Sequence, residues 1–315
     1  EQSPITAWLA VRIFHEAGVP ADCLHLLPGA GDVGGALVRD QRVKGVLFTG
    51  SNETAWTIQR ALADRRSAIV PFIAETGGIN AMIADSTALP EQVVRDAVRS
   101  AFDSAGQRCS AARVLFLQDE VAGRVIELLA GATEALDLGD PLDYATDIGP
   151  VIDEDAQDRL EAAKLRLLRS HRTIIDVALP EACRVGTYVT PAIYEIKNLA
   201  DIGGELFGPI LTVIRYQRGH LDKVVGAINE MGYGLTLSVH SRIEGVADMV
   251  AEHARIGNVY VNRNQIGAVP GVQPFGGEGL SGTGPKAGGP WMLPALTTER
   301  ALSIDTTAAG ANVAL

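Results

Sequence analysis

The sequence predicts an α/β fold built on a mainly parallel sheet. Its first third alternates segments that carry apolar residues at helical spacing with short apolar segments typical of buried strands. Strands that alternate with helices pair in parallel and are covered on both faces. The 315 residues are enough for a large core and suggest two domains of ordinary size.

The predicted elements follow the chain in order. Residues 5–17 have helical spacing and end at Gly18, a common helix terminator, and the short apolar segment 24–27 is a candidate strand before Pro28. Next we expect a helix over 31–39, a strand over 43–48, a helix over 53–64, strands over 68–74 and 81–84, a helix over 91–102 and a strand over 113–117.

Composition excludes several classes of function. The chain has 27 Lys and Arg residues against 38 Asp and Glu residues, and its net charge of -11 would repel a nucleic-acid backbone. We interpret its basic clusters, at 65–66 and 166–172, as solvated helix faces. No apolar stretch is long enough to cross a bilayer, and the first residues do not resemble a secretory signal.

The cysteines indicate free thiols rather than a disulfide framework. Cys23, Cys109 and Cys183 are odd in number and widely separated, and no pair has the spacing of metal ligands. The six histidines are scattered along the chain. We therefore expect no metal site and a reducing, cytoplasmic environment.

Two glycine-bearing turns could hold a phosphate. Residues 29–34 read G-x-G-x-x-G, but Pro28 interrupts the join to the preceding segment and Asp32 would repel a pyrophosphate. We interpret that motif as a tight, closely packed turn. The turn at 48–51 joins a better strand to a better helix, whose free N–H groups favour an anion, although an ordinary turn remains the alternative.

Cys109 is the candidate nucleophile. It lies between a predicted helix and a predicted strand, and it has Gln107, Arg108 and Ser110 as neighbours instead of apolar residues. A nearby cation favours the reactive thiolate form. An ordinary core or surface cysteine is the alternative interpretation.

Glu75 is the candidate acid-base group. It follows a predicted strand and precedes Gly77 and Gly78, which allow a ligand or another chain segment to approach closely. One strand and one helix separate Glu75 from Cys109, enough chain to bring the two side chains together. The alternative is a solvated loop carboxylate.

Seven motifs, in this order and spacing, resemble those of the aldehyde dehydrogenase superfamily. They are Phe48-Thr49-Gly50-Ser51, Glu75-Thr76-Gly77-Gly78, Gly106-Gln107-Arg108-Cys109, Gly139-Asp140-Pro141, Gly149-Pro150, Glu205-Leu206-Phe207-Gly208-Pro209 and Pro274-Phe275-Gly276-Gly277 with Ser281-Gly282. Residues 271–290 and 305–312 look most like the carboxyl-terminal, dehydrogenase half of bacterial bifunctional proline-utilisation proteins. The resemblance covers nearly the whole chain.

This resemblance implies a division into three parts. Residues 1–75 would be the remaining part of an NAD-binding domain, and residues 76–262 would be an α/β catalytic domain. Residues 263–315 would form a substrate-anchor loop and a closing tail, with an oligomerisation strand near 301–306. The resemblance also implies a homo-oligomer.

The resemblance also implies a reaction. The dehydrogenase half of the bifunctional proline-utilisation proteins oxidises L-glutamate γ-semialdehyde, the open form of pyrroline-5-carboxylate, to L-glutamate in the second step of proline catabolism. Cys109 would attack the aldehyde carbon to give a thiohemiacetal, transfer of hydride to NAD would leave a thioester, and Glu75 would activate water to release glutamate. Another NAD(P)-dependent aldehyde dehydrogenase is the nearest alternative.

Binding residues follow from the same motifs. Those matching cofactor positions are Thr49, Gly50, Ser51, Glu205 and Phe207, and those matching substrate positions are Ser110, Gly267 and Ala268. The two small residues of the loop would expose backbone N–H groups to the substrate carboxylate.

The beginning of the chain departs from the family pattern. Residues 1–4 resemble the tail of a motif that normally starts with a cofactor-binding lysine, and an oxyanion-binding asparagine is expected further upstream. We therefore expect an incomplete cofactor domain and weak or no NAD turnover by the 315 residues alone. FAD would belong only to a proline dehydrogenase half preceding them. A cysteine hydrolase or acyltransferase would be a different use of the same thiol, and a non-catalytic remnant would use none of these groups.

Overall fold

The computed structural model describes residues 1–269 and 271–305. Its helices are α1 Pro4–Glu16, α2 Gly31–Arg39, α3 Asn52–Asp64, α4 Pro90–Phe102, α5 Asp119–Glu134, α6 Glu154–Ser170, α7 Leu221–Glu230, α8 Glu244–His253 and α9 Met292–Ala295. Its strands are β1 Val46–Thr49, β2 Phe72–Glu75, β3 Asn80–Ala84, β4 Ala112–Gln118, β5 Arg172–Asp176, β6 Ala192–Glu195, β7 Ile210–Tyr216, β8 Tyr233–Gly234, β9 Thr236–His240, β10 Asn258–Val261 and β11 Glu278–Gly279. Short 3₁₀ helices cover Asp103–Gly106, Glu181–Arg184 and Leu199–Ile202.

A seven-stranded sheet forms the body of the molecule, which we define as residues 80–261. The strand order is β10-β9-β3-β4-β7-β6-β5, and every neighbouring pair is parallel except the edge pair of β5 and β6. All residues of β3 and β4 are buried, as expected of parallel strands covered on both faces. The predicted parallel α/β architecture is confirmed.

The body holds the hydrophobic core. Fully buried side chains from the central strands and from α4 and α5 pack together, including those of Met82, Phe102, Leu115 and Leu129. Helix α4 presents its buried face to this core and its charged face to solvent, in keeping with its strong apolar periodicity.

Residues 1–75, the first lobe, bury much less. Strands β1 and β2 form a separate parallel pair, flanked by α2 and α3. Helix α1 has no buried residue, whereas α2 and α3 have one each, Val38 and Ala55. The lobe's helices therefore contribute little apolar surface to a core within this chain.

A carboxyl-terminal segment ties the first lobe to the body. The backbone N–H of Thr283 donates to the carbonyl of Ala74 at 2.9 Å, and the backbone N–H of Thr76 donates to the carbonyl of Ser281 at 3.0 Å. Strand β11 pairs antiparallel with β8 of the body. The segment thus contacts β2 and the body at once.

The predicted elements of the first third lie within a few residues of the observed ones, with two differences. Residues 24–27 form no strand in the described structure and pair with none of its sheets. The strand predicted over 68–74 is shorter and begins later, at β2, so that Glu75 is its last residue. In residues 29–34, α2 begins at Gly31 after the N-cap Ala30.

The proposed tail strand falls at the limit of the described chain. Residues 301–305 have no regular secondary structure, and residue 306 and those after it lie outside the described residues. The tail strand, the homo-oligomer and the three-part division remain predictions. Of the helices in the described ranges, none combines the length and apolar character needed to cross a membrane.

Candidate active site

The Cys109 thiol lies in a turn that the body holds on both sides. The turn follows the 3₁₀ helix Asp103–Gly106 and is closed by a hydrogen bond from the N–H of Ala111 to the carbonyl of Arg108, at 3.1 Å. The amide nitrogen of Asn80, at the start of β3, donates to the carbonyls of Cys109 at 2.7 Å and Ala111 at 3.0 Å. The amino-terminal ends of β3 and β4 therefore fix the cysteine backbone.

The environment of this thiol opposes ionisation. Burial raises the pKa of Cys109, and the negative charges of Glu205 and Glu75 raise it further, while the N–H of Ser110 lowers it. The two carboxylates therefore lie within electrostatic range of the sulfur. Because the protonated thiol is a poor nucleophile, the site needs positive charge or a base to form the thiolate.

Glu75 is a half-buried carboxyl with an unusual proton affinity. Burial raises its pKa to about 7, against the opposing effects of the Gly277 N–H and the Lys286 charge. Its Oε2 accepts from the backbone N–H of Gly277 at 3.1 Å, and its Oε1 has no hydrogen-bond partner among the described residues. A Cβ at position 276 would overlap Oε1, so the glycine backbone forms the wall of this pocket. A carboxyl with this pKa can accept and release protons near neutral pH.

Glu205 lies against the Gly77-Gly78 turn. Its Oε1 accepts from the backbone N–H of Gly78 at 3.0 Å, and any side chain at Gly77 would overlap the carboxylate. Burial raises the pKa of Glu205, and the positive charge of Arg113 opposes this shift. Phe207, two residues later, is 44% exposed. An aromatic ring two residues along the chain from Glu205 is thus partly open to solvent.

The turn at Thr49, Gly50 and Ser51 joins β1 to α3. Ser51 is the N-cap of α3, with its hydroxyl oxygen accepting from the N–H of Thr54 at 3.3 Å, and both Gly50 and Ser51 are exposed. The remaining N–H groups of the first helical turn can donate hydrogen bonds to an anion such as a pyrophosphate. The charge of Glu53, in this first turn, raises the pKa of Glu205, so the helix start lies within electrostatic range of that carboxylate.

The three predicted substrate residues belong to two connected segments. Ser110 is 5% exposed, and its carbonyl accepts from the Thr236 hydroxyl at 3.3 Å and from Nε2 of Gln265 at 3.4 Å. Gln265 begins the irregular loop that contains Gly267 and Ala268. Gly267 is exposed with φ +78°, a left-handed conformation that favours glycine. The loop is therefore attached to the segment that carries the cysteine.

Four further residues shape the site without having been predicted from sequence. They are Asn80, Arg113, Gln265 and Lys286. A charged residue opening a strand as apolar as β4 was a usable signal for Arg113. The other three act through contacts between segments distant in sequence, which no local pattern indicates.

A metal centre has no support in the described ranges. Within residues 1–269 and 271–305, no three His, Cys, Asp or Glu side chains are grouped closely enough to bind a metal ion. Cys23 and Cys183, like Cys109, are free cysteines.

Comparison with known proteins gives a family match and close relatives. The model of the aldehyde dehydrogenase family matches residues 1–302. The bifunctional protein PutA of Klebsiella aerogenes is 51% identical over 309 residues, which are 95% of this chain and 24% of that protein. The 1-pyrroline-5-carboxylate dehydrogenase of Geobacillus kaustophilus is 32% identical over 297 residues, 92% of this chain and 57% of that enzyme.

Solved structures agree with this match. A crystal structure of bifunctional proline utilization A superposes with a TM-score of 0.94 at 54% identity, covering 98% of this chain and 31% of the other. The 1-pyrroline-5-carboxylate dehydrogenase from Thermus with bound NAD gives a TM-score of 0.88 at 32% identity, covering 93% of this chain and 57% of that one. The chain thus spans about a quarter of the length of its bifunctional relatives and just over half that of the single enzymes.

Proposed function

Since the chain belongs to the aldehyde dehydrogenase family, we propose that it carries the NAD-dependent oxidation of L-glutamate γ-semialdehyde to L-glutamate, the second step of proline catabolism. The observation that carries the proposal is the convergence on the Cys109 thiol of two carboxyl groups from distant segments, Glu75 and Glu205. Relatives named as PutA and as 1-pyrroline-5-carboxylate dehydrogenase support the substrate. The free cysteines are consistent with the cytoplasm as the location.

In the first step, Cys109 acts as the nucleophile. Its sulfur forms a bond to the aldehyde carbon, and the carbonyl oxygen becomes the hydroxyl of a thiohemiacetal. The hydrogen bonds from Asn80 hold the cysteine backbone while this bond forms. NAD, when bound, would supply the acceptor for the hydride. Loss of this hydride from carbon and of the hydroxyl proton to solvent would leave a thioester on Cys109.

In the second step, Glu75 acts as general base. With a pKa of about 7, its carboxylate is formed in the neutral range and can take a proton from water as the water oxygen attacks the thioester carbon. The carbon–sulfur bond breaks and the sulfur departs as thiolate, while the second proton of the attacking water passes to solvent as glutamate leaves as the carboxylate. The unpartnered Oε1 of Glu75 is the atom available for that proton.

We assign cofactor binding to two segments. The start of α3, with Thr49, Gly50 and Ser51, suits the pyrophosphate because these three residues are exposed and the first N–H groups of a helix have no partner within the helix. Glu205 would accept hydrogen bonds from the nicotinamide ribose, and the exposed ring of Phe207 would pack near the nicotinamide.

We assign the substrate's far end to the other side of the cysteine. Ser110 provides a hydroxyl next to the nucleophile. Gly267 and Ala268, which lack bulky side chains, would offer backbone N–H groups to the α-carboxylate. Gln265 links this loop to Ser110, so the two parts of the substrate site keep a fixed separation.

A cysteine hydrolase is the competing function. Hydrolases of that type pair the thiol with a histidine base. The charged groups that raise the pKa of Cys109 are Glu205 and Glu75. Two carboxylates suit a reaction whose base acts on water after the cysteine has been acylated.

The test is an assay of NADH formation with NAD and L-glutamate γ-semialdehyde. It uses the protein at the length its gene encodes, with the 315-residue chain assayed in parallel. Cys109→Ala should lower turnover on the order of 10⁴-fold or more because the nucleophile is lost. Cys23→Ala is the matched control, since its thiol is exposed and remote from the proposed chemistry, and should retain full activity.

Two outcomes would contradict these expectations. Release of product without NAD would favour the hydrolase, and undiminished turnover by Cys109→Ala would remove the proposed nucleophile.

A further inference from the structure

A β-bulge sets the direction of the Arg113 side chain. In the pairing of β3 with β4, Asn80 lies opposite Ala112 and Ala81 lies opposite Val114, so Arg113 is the extra residue. The Thr212 hydroxyl donates to the carbonyl of Arg113 at 2.8 Å. Bulges of this kind commonly re-aim a side chain beside an active site.

The guanidinium of Arg113 is fully enclosed. The residue is 1% exposed, and burial lowers its pKa to about 10, so the group remains charged at neutral pH. Its Nη1 donates to the carbonyl of Gly208 at 3.0 Å and its Nη2 donates to the carbonyl of Arg108 at 3.1 Å. A buried charge is tolerated only where such partners and compensating charges exist.

The two carbonyls belong to the two halves of the proposed site. Arg108 directly precedes the nucleophile, and Gly208 ends the segment that begins with Glu205. Cζ of Arg113 lies 5.5 Å from the centroid of the Phe207 ring. One side chain therefore holds the cysteine turn and the cofactor-facing segment together.

The charge of Arg113 also acts on both halves. The charges of Glu205 and Cys109 stabilise the Arg113 cation, and in return Arg113 lowers the pKa of Glu205. The ionised forms of Glu205 and Cys109 therefore both interact favourably with the Arg113 cation. The interaction with Cys109 opposes the unfavourable effects that burial and the two carboxylates have on the thiolate.

We propose that Arg113 is a positioning residue that fixes the Cys109 turn to the Glu205–Gly208 segment, so that the thiol, Glu205 and Phe207 keep one relative placement. The importance of this placement for catalysis rests on the proposed function. Because a displacement of about 1 Å between reacting groups can lower a rate about 100-fold, this link matters for turnover.

A second buried cation provides a matched control. Lys164 is 6% exposed and makes an ion pair with Asp176 at 2.8 Å and a hydrogen bond to the Thr190 hydroxyl at 2.6 Å. It is buried like Arg113 but its partners lie outside the proposed site. Lys164→Met thus reproduces the loss of a buried cation without affecting the cysteine turn.

The experiment compares Arg113→Met, Arg113→Lys and Lys164→Met in the protein at the length its gene encodes. For each, the rate of Cys109 alkylation by iodoacetamide is measured against pH by peptide mass spectrometry, alongside kcat for NADH formation and Tm. Arg113→Met should move the alkylation midpoint up by about one pH unit or more and lower kcat about 100-fold. Lys164→Met should lower Tm comparably and leave the alkylation midpoint unchanged.

Arg113→Lys keeps the charge but cannot bridge both carbonyls with a planar fork. The pH midpoint of Cys109 alkylation should therefore stay close to that of the wild type, while backbone hydrogen exchange in residues 104–111 and 205–209 becomes about 10-fold faster. If Arg113→Met does not fold, the exchange rates of Arg113→Lys test the proposal. Unchanged exchange in both segments, or an equal midpoint shift in Lys164→Met, would overturn the proposal. Alkylation and exchange need no turnover, so absence of NADH from the wild type would count against the proposed function alone.

Discussion

The first lobe and the body differ in how far buried apolar side chains within each region stabilise it. The body encloses β3 and β4 completely, whereas α1 in the lobe buries nothing and leaves Ile5, Ile13 and Phe14 more than half exposed. The proposed nucleophile is anchored in the body, and the proposed phosphate-binding turn belongs to the lobe. The two halves of the proposed reaction therefore depend on regions that differ in how much of their side-chain surface is buried.

This contrast explains why the contacts between the regions matter. Glu75 is the last residue of the lobe's sheet, yet its carboxylate is bonded to Gly277, 202 residues later. The carbonyl of Glu75 also accepts from the N–H of Gly50 at 3.1 Å. The proposed base thus contacts the proposed cofactor turn through its backbone and the carboxyl-terminal segment through its side chain.

The largest expected effect tests the contrast in stability directly. Phe102→Ala removes a ring that is 1% exposed in the body core and should reduce the free energy of unfolding by about 3–5 kcal/mol. Ile13→Ala, at a site 62% exposed in α1, should change it by less than about 0.5 kcal/mol. Urea unfolding followed by circular dichroism measures both, and equal losses would show that α1 is packed as tightly as the core.

The next effect concerns the base at the junction. Glu75→Gln should lower steady-state turnover about 100-fold because the water that attacks the thioester is no longer deprotonated. Cysteine acylation should persist and appear as a rapid burst of NADH in stopped-flow absorbance. Loss of the burst together with turnover would instead assign Glu75 to an earlier step.

A smaller effect lies in the pH dependence. Since burial raises the pKa of Glu75 to about 7, the rate of thioester hydrolysis should rise as pH passes through 7 and level off above it. Lys286→Met removes a charge that lowers this pKa and should move the profile to higher pH by about one unit or less. Pre-steady-state hydrolysis rates between pH 5 and 9 measure the shift, and a shift to lower pH would contradict the assigned interaction.

The same raised pKa makes a prediction about stability. Glu75 has a pKa near 4.5 in the unfolded chain and near 7 in the folded chain, so the folded state becomes less stable as pH rises between those values. Glu75→Gln, which cannot ionise, should therefore be more resistant to urea than the wild type at pH 8, but not at pH 4. Equal resistance at pH 8 would show that burial does not disfavour this carboxylate.

The smallest effect belongs to the lobe. Ser51→Ala removes the hydroxyl that caps α3 and should destabilise the helix start by about 1 kcal/mol. Because that start is the proposed pyrophosphate site, KM for NAD should rise while the alkylation rate of Cys109 stays the same. Thr57→Ala is a control in the same helix, since its hydroxyl donates to the carbonyl of Glu53, one turn further from the cap. Equal changes in KM for the two variants would remove the cap from the cofactor site.

Sequence periodicity was sufficient for elements that rely on local pattern. Helices α2 and α4 and strand β4 lie close to their predicted ranges because spacing of apolar residues alone determines which face is buried. The segment 24–27 was wrongly expected to be a strand, since strand formation also requires a neighbour. Pairing partners are a property of the fold, not of the segment.

The site could be predicted only in part for a related reason. Cys109 and Glu75 stand in turns and strand ends that local sequence reveals, and the seven motifs supplied the rest of the expected set. The contribution of Asn80 depends on its two hydrogen bonds across the sheet, and that of Arg113 on a one-residue bulge. Neither a long-range hydrogen bond nor a register shift leaves a periodic trace in the sequence.

The carboxylates of Glu75 and Glu205 share a feature with a practical consequence. Each accepts its hydrogen bond from the main chain, the N–H of Gly277 and of Gly78, at positions closed off by neighbouring glycines. Alanine scanning would miss these donors altogether, because replacing a side chain leaves its amide nitrogen in place. Amide-to-ester replacement at residues 78 and 277, by protein semisynthesis, removes each N–H donor and so measures its contribution.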